Sequence, residues 1–228
     1  MAILYLAPSW FFGFDIILEI IFAAITFAVA FYSFKIYKMS DERGPRLFGT
    51  AFLIIACSYV ARILINLFLL KDINETTAAL VIDNVSTLGI LSAYASLSLF
   101  SFGLLTLAYM SLKIKNPPFY TLLLIIPALG VWMASSKLAF VSLLSFVALV
   151  YLDFHFLIEY HTKRNSKTLM VLISFVLLTL ASLDFMLSPF NYWHYVATHV
   201  LELGAFILIL LSLVSVFRRG NGKKKKQT

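Results

Sequence analysis

Seven apolar runs, most of them about as long as a bilayer is thick, constrain this chain more than any other feature. A membrane-crossing helix needs about 20 mostly apolar residues, with a range of about 17–25. Such runs cover residues 11–37, 47–70, 81–112, 119–134, 138–159, 169–187 and 195–217. They have to be helices. Open strands leave backbone groups unpaired in lipid, and a barrel would show segments of about 10 residues alternating in polarity. The third run exceeds one bilayer thickness and is expected to tilt or project beyond it. The fourth is short and holds Pro127, and only Ser135, Ser136 and Lys137 part it from the fifth. Merging those two would give six spans. Composition excludes a soluble domain: of 228 residues, 61% are hydrophobic and 13% charged, against about 45–50% and about 25% in soluble chains. The expected fold is an all-α integral membrane protein, a seven-transmembrane-helix bundle. It forms one domain over residues 1–219, followed by a disordered polybasic tail at 220–228.

Charge placement sets the expected orientation. Fifteen of the 18 Lys and Arg residues fall at one side if the spans number seven: Lys35, Lys38, Arg43, Arg46, Lys113, Lys115, Lys163, Arg164, Lys167, Arg218, Arg219 and Lys223 to Lys226. The positive-inside rule then puts the N-terminus outside and the C-terminus in the cytoplasm. No basic stretch precedes the first apolar run, so no cleaved signal peptide is expected. Trp10, Phe11, Phe12, Trp132, Tyr192 and Trp193 read as aromatic anchors at the interfaces. The single Cys57 permits no internal disulfide and reads as a small apolar packing residue. No loop is long enough for a soluble domain.

Ionisable residues inside spans are costly and are site candidates by default. Counted from the basic anchor of its own helix, Glu19 lies 16 residues in, Arg62 16, Asp184 17 and Glu202 16. At 1.5 Å per residue, each sits about 24–26 Å from the inner anchors, roughly one turn below the outer surface. Asp15 is four residues from Glu19, Asn66 four from Arg62, and His199 three from Glu202, so each shares a helix face with its neighbour. Ser96 and Ser98 reach a similar depth, and Asp83 and Asn84 stand near the mouth. The reading is an outward-facing acidic pocket with one fixed cation. Arg62 alone neutralises one or two of Glu19, Asp184 and Glu202, and surplus acid either holds a proton or awaits a cation. The plain alternative is a set of salt bridges that tie spans together.

Further features bear on packing and partners. Asp153 is a second intramembrane acid, with His155 on another face and Glu159 near the interface. Gly89, Ala93, Ser96, Phe100 and Gly103 form a small-residue face on the third span, suited to close helix packing. The Lys223 to Lys226 tail is expected to meet anionic lipid headgroups, and its end resembles a dilysine retrieval signal of the endoplasmic reticulum. Asn74 and Asn84 begin glycosylation sequons.

Function is less legible. Retinal chemistry needs a Schiff-base lysine in the seventh span, and residues 195–217 hold none. The layout resembles sugar-transporting carriers of three-plus-one-plus-three spans, yet spans one, two, five, six and seven lack the prolines at which those carriers hinge. A metal-dependent hydrolase would use His194, His199, Glu202 and Asp184, although a spacing of five between the histidines does not put both on one face. The layout also resembles the seven-helix, N-out input modules of membrane signalling proteins. That resemblance implies a receptor- or sensor-like or scaffolding bundle, binding a small cation, amine or proton and acting through a separate membrane or cytoplasmic partner. A small-solute or ion transporter is the alternative. No cofactor, metal or nucleic-acid partner is expected, and the reading leans away from an enzyme. The expected location is a membrane in multi-pass form, the cell membrane or, in a eukaryote, the endoplasmic reticulum.

Overall fold

Each apolar run becomes a helix. The computed structural model describes residues 11–75, 78–114, 116–134, 137–188 and 190–224, with side chains for all of these except 12–13, 65–66, 68–75, 78–93, 117, 132, 137–138, 192 and 218–224. Seven helices follow in chain order: α1 (Phe12–Ser40), α2 (Arg43–Glu75), α3 (Ala78–Ser111), α4 (Pro117–Met133), α5 (Lys137–Lys163), α6 (Ser166–Leu187) and α7 (Tyr192–Lys224). No strand occurs among the described residues. Six of the helices are long and apolar enough to cross a membrane, and by that measure this is a multi-pass membrane bundle. The exception is α4, whose 17 residues reach about 26 Å along the axis, short of a hydrocarbon core of about 30 Å.

The six long helices close a ring. Contacts run α1 to α2, α2 to α3, α3 to α5, α5 to α6 and α6 to α7, and α7 returns to α1. α4 lies outside, touching α3 and α5. Phe22, Phe52, Leu104, Leu149, Phe175 and Phe206, one from each ring helix, are fully buried and fill the interior. The outward surface is apolar: Ile126 is 65% exposed and Met133 80%. In water such a face would drive aggregation, whereas in lipid it is the solvated face.

Local chemistry explains the turns at the end that carries Lys38, Lys113 and Lys163. Asp41, Lys113 and Arg164 all adopt left-handed backbone, with φ of 53°, 54° and 46°. That conformation lets a residue just past a helix close the last turn, and Asp41 and Arg164 do so by donating to the Tyr37 and Tyr160 carbonyls at 2.8 Å. Asn165 caps α6 through its side chain, which accepts from the Lys167 amide. Arg43 stitches two connections, donating to the Tyr109 hydroxyl at 2.6 Å and the Ile114 carbonyl at 3.1 Å.

Packing between α2 and α3 depends on Gly103. A Cβ there would collide with the Ile55 side chain and stand 3.0 Å from the Ala51 carbonyl oxygen, so the two backbones approach closely, as small residues allow in lipid. Gly89 and Ala93, expected on the same face, lie outside the described side chains.

Several expectations are corrected. The connection expected at 71–79 is largely helical, because α2 runs on to Glu75 and α3 begins at Ala78; polar residues continue a helix as readily as apolar ones. For the same reason α7 extends past Phe217 to Lys224. Asn74 and Asn84 therefore fall within helices, with side chains outside the described set. Cys57 is exposed rather than packed. It shares an outward stripe with Val60 and Leu64, while Ile55, Ala56, Ser58 and Tyr59 turn inward. Trp193 is 56% exposed, but Phe11 is buried at 6% and is no surface anchor.

Candidate functional site

Helix rotation decides which of the intramembrane charges meet. On facing turns of α1 and α2, Glu19 Oε1 and Arg62 Nε stand 2.8 Å apart. Glu19 has no accessible side-chain surface, while Arg62 keeps 27%. Placing both charges out of water is expensive unless each finds its opposite, and here the contact supplies it.

A second pair joins α1 to α7. Asp15 Oδ1 lies 2.8 Å from His199 Nε2, and the Tyr195 hydroxyl donates to Asp15 Oδ2 at 2.7 Å. His199 Nδ1 faces the Tyr195 carbonyl at 2.9 Å. A carbonyl only accepts, so Nδ1 carries a proton, while Nε2 stands at ion-pair distance from Asp15 without hydrogen-bond geometry among the described residues. Phe11 packs edge-on over this pair, with ring centroids 6.1 Å from Tyr195 and 5.7 Å from His199. Asp15, expected at the open mouth, is thus buried at 8%, because α7 presents Tyr195 and His199 to it one turn apart.

Glu202 is placed differently. It accepts from the Tyr59 hydroxyl at 3.2 Å. No Arg62 nitrogen reaches it within ion-pair distance among the described contacts. With Arg62 set against Glu19 and His199 against Asp15, Glu202 is the carboxylate left over.

Asp184 departs from the expected layer. Its Oδ1 lies 2.8 Å from His194 Nδ1 on the neighbouring helix, away from Arg62. His194 is not in the connecting loop: α7 begins at Tyr192, and Asn191 caps that start by accepting from the Trp193 amide at 3.1 Å. This short turn returns His194 onto Asp184. Counting residues carries no information on rotation, so a shared depth does not bring Asp184 to Arg62. Asn66 lies outside the described side chains.

These groups border a cavity between α2, α3, α5, α6 and α7. Its volume is about 60 Å³, room for a few water molecules. Arg62, Tyr59, His199 and Glu202 form its charged wall, and Ser58, Ser96, Ser142, Ser145, Ser182 and Thr198 supply hydroxyls. Some hydroxyls are already engaged. Ser58 donates to the Ile55 carbonyl at 2.6 Å, Ser145 shares a 2.7 Å bond with Ser101, and Thr198 donates to the carbonyls of Ala181 and His194. Tyr59 and Tyr195 lie outside the residues singled out from the sequence. Spacing would have found them: Tyr59 is three residues before Arg62, Tyr195 four before His199, and Ser142 and Ser145 are three apart.

Asp153 stands apart on α5. Thr179 of α6 donates to its Oδ2 at 2.6 Å, while Oδ1 is buried without a hydrogen-bond partner among the described residues. His155, Glu159 and Lys163 form a separate ladder along α5.

Comparison with family models, curated proteins and solved structures finds no match. The site therefore rests on its geometry. Among the described residues, no three His, Cys, Asp or Glu side chains gather in a way that would hold a metal; His194 and Asp184 form one pair, and His199 and Glu202 belong to another part of the wall. The arrangement offers a polar recess, within apolar helices, where two opposite-charge pairs surround one extra carboxylate.

Proposed function

We propose that this chain is a seven-span membrane protein with its N-terminus outside, and that its interhelical cavity binds a small cation, amine or proton at Glu202. It acts as a receptor- or sensor-like bundle, passing the bound state to a separate membrane or cytoplasmic partner. One observation carries this reading. Glu202 faces the cavity with a tyrosine hydroxyl as its hydrogen bond and no cation within ion-pair distance among the described residues. Two of the other acids already have cations against them. A carboxylate in a low-dielectric recess gains strongly from a cation that enters it. The charge asymmetry of the sequence supports the orientation, and α4, although short, alternates with its neighbours in the count of seven. The polybasic end of the chain, Lys223 to Lys226, meets anionic lipid headgroups in this reading.

The test uses the purified full chain in lipid nanodiscs, with melting followed by tryptophan fluorescence. Methylammonium and sodium chloride serve as probes. A ligand that binds only the folded state stabilises it by about 2.7 kcal/mol at a hundred times Kd. Wild type should melt at rising temperature with methylammonium, and Glu202→Gln should not. If neither probe shifts the wild type, or if Glu202→Gln responds equally, the reading is refuted.

A further inference from the structure

Arg62 holds more donors than its ion pair uses. Its Nε faces Glu19, but Nη1 and Nη2, with four N–H bonds between them, make no hydrogen bond among the described residues. The side chain retains 27% accessibility and lines the cavity. A guanidinium normally engages two acceptors in parallel, and such charge-assisted forks are among the strongest hydrogen bonds available. On the same wall, Glu202 Oε2 accepts from Tyr59, while Oε1 has no hydrogen bond among the described residues. Ser142 and Ser182 likewise line the cavity with hydroxyls that make no hydrogen bond there. The recess thus displays a planar cation and a carboxylate on one wall, with no direct ion pair between them among the described residues.

We infer that the cavity takes a small zwitterion, its carboxylate on the Arg62 Nη groups and its ammonium on Glu202. This rests on the proposed role of Glu202 and adds the second anchor that sets ligand class. The wall offers one cation, one carboxylate and a few hydroxyls, a set that matches the two charged ends of a simple amino acid. A zwitterion leaves the net charge of the recess unchanged, so it enters without importing an uncompensated charge into the membrane interior. Serine hydroxyls, able to donate or accept, fit the flanks of such a ligand.

Calorimetric titration of the full chain in nanodiscs with glycine, methylammonium and acetate tests this. Glycine should bind wild type at least tenfold more tightly than either single-charge probe, a difference of about 1.4 kcal/mol. Arg62→Lys keeps a cation for Glu19 but loses the planar fork; it should bind methylammonium as wild type does and bind glycine no more than about threefold better. Glu202→Gln should lose both. Should Arg62→Lys fail to fold, the double variant Glu19→Gln/Arg62→Gln, which removes both charges, replaces it with the same expectation. Methylammonium binding as tightly as glycine, or a glycine advantage that survives at Arg62→Lys, overturns the zwitterion while the cation reading stands. Binding of none of the three to wild type overturns both.

Discussion

Arg62→Met should destabilise the bundle much more than Glu19→Gln, although the two residues form one ion pair. The asymmetry follows from burial. Glu19 has no accessible surface, while Arg62 borders the cavity with 27% of its side chain accessible. At 2.8 Å and an effective dielectric of about 20, two unit charges attract by about 6 kcal/mol before desolvation is subtracted. Losing Arg62 removes the cation from a fully buried carboxylate, at a cost of about 3–5 kcal/mol. Losing the Glu19 charge leaves Arg62 able to turn toward the cavity and Glu202, so the cost falls to about 1–2 kcal/mol. The double variant should cost about as much as Glu19→Gln alone, giving a coupling energy of about 3–5 kcal/mol. Reversible unfolding in mixed detergent–SDS micelles, followed by tryptophan fluorescence, measures all four corners of the cycle. Equal costs for the two single variants, or simple additivity in the double, would refute the assignment of Glu19 as the buried partner.

Other predictions test separate parts of the structure. Tyr195→Phe removes the hydroxyl that donates to Asp15 and should cost about 1–2 kcal/mol in the same unfolding assay, an effect that vanishes in an Asp15→Ala background. Gly103→Leu drives a side chain into Ile55 and the Ala51 carbonyl; a loss of at least about 1–3 kcal/mol is expected, whereas Gly44→Leu, with nothing within 4 Å of an added Cβ, should be nearly neutral. Orientation is testable by cysteine labelling after Cys57→Ala: in intact cells, Asn191→Cys should react with an impermeant maleimide and Asn165→Cys should react only after permeabilisation. The reverse pattern would invert the proposed topology. Thr179→Val takes the one donor from Asp153 Oδ2 and should lower stability by about 1 kcal/mol, less so when combined with Asp153→Leu.

Length and hydropathy alone determined the helices, since a backbone in lipid has no other way to satisfy its hydrogen bonds. Residue counting also placed Glu19, Arg62, Asp184 and Glu202 at similar depth, because rise per residue is constant along a helix. Rotation about each axis, and the order of helices around the ring, depend on side chains from distant parts of the chain. Only the tertiary structure put Glu19 against Arg62, drew Asp15 beneath Phe11 to meet His199, and sent Asp184 to His194 across the short turn capped by Asn191. Element ends were also beyond reach, because Lys71, Asp72 and the basic residues after Phe217 carry no signal that separates a continued helix from a loop. The sequence alone shows surplus acid within the membrane. That Glu202 and Arg62 face one serine-lined recess was decided by packing, because charges on different helices meet only when their helices turn the same faces together.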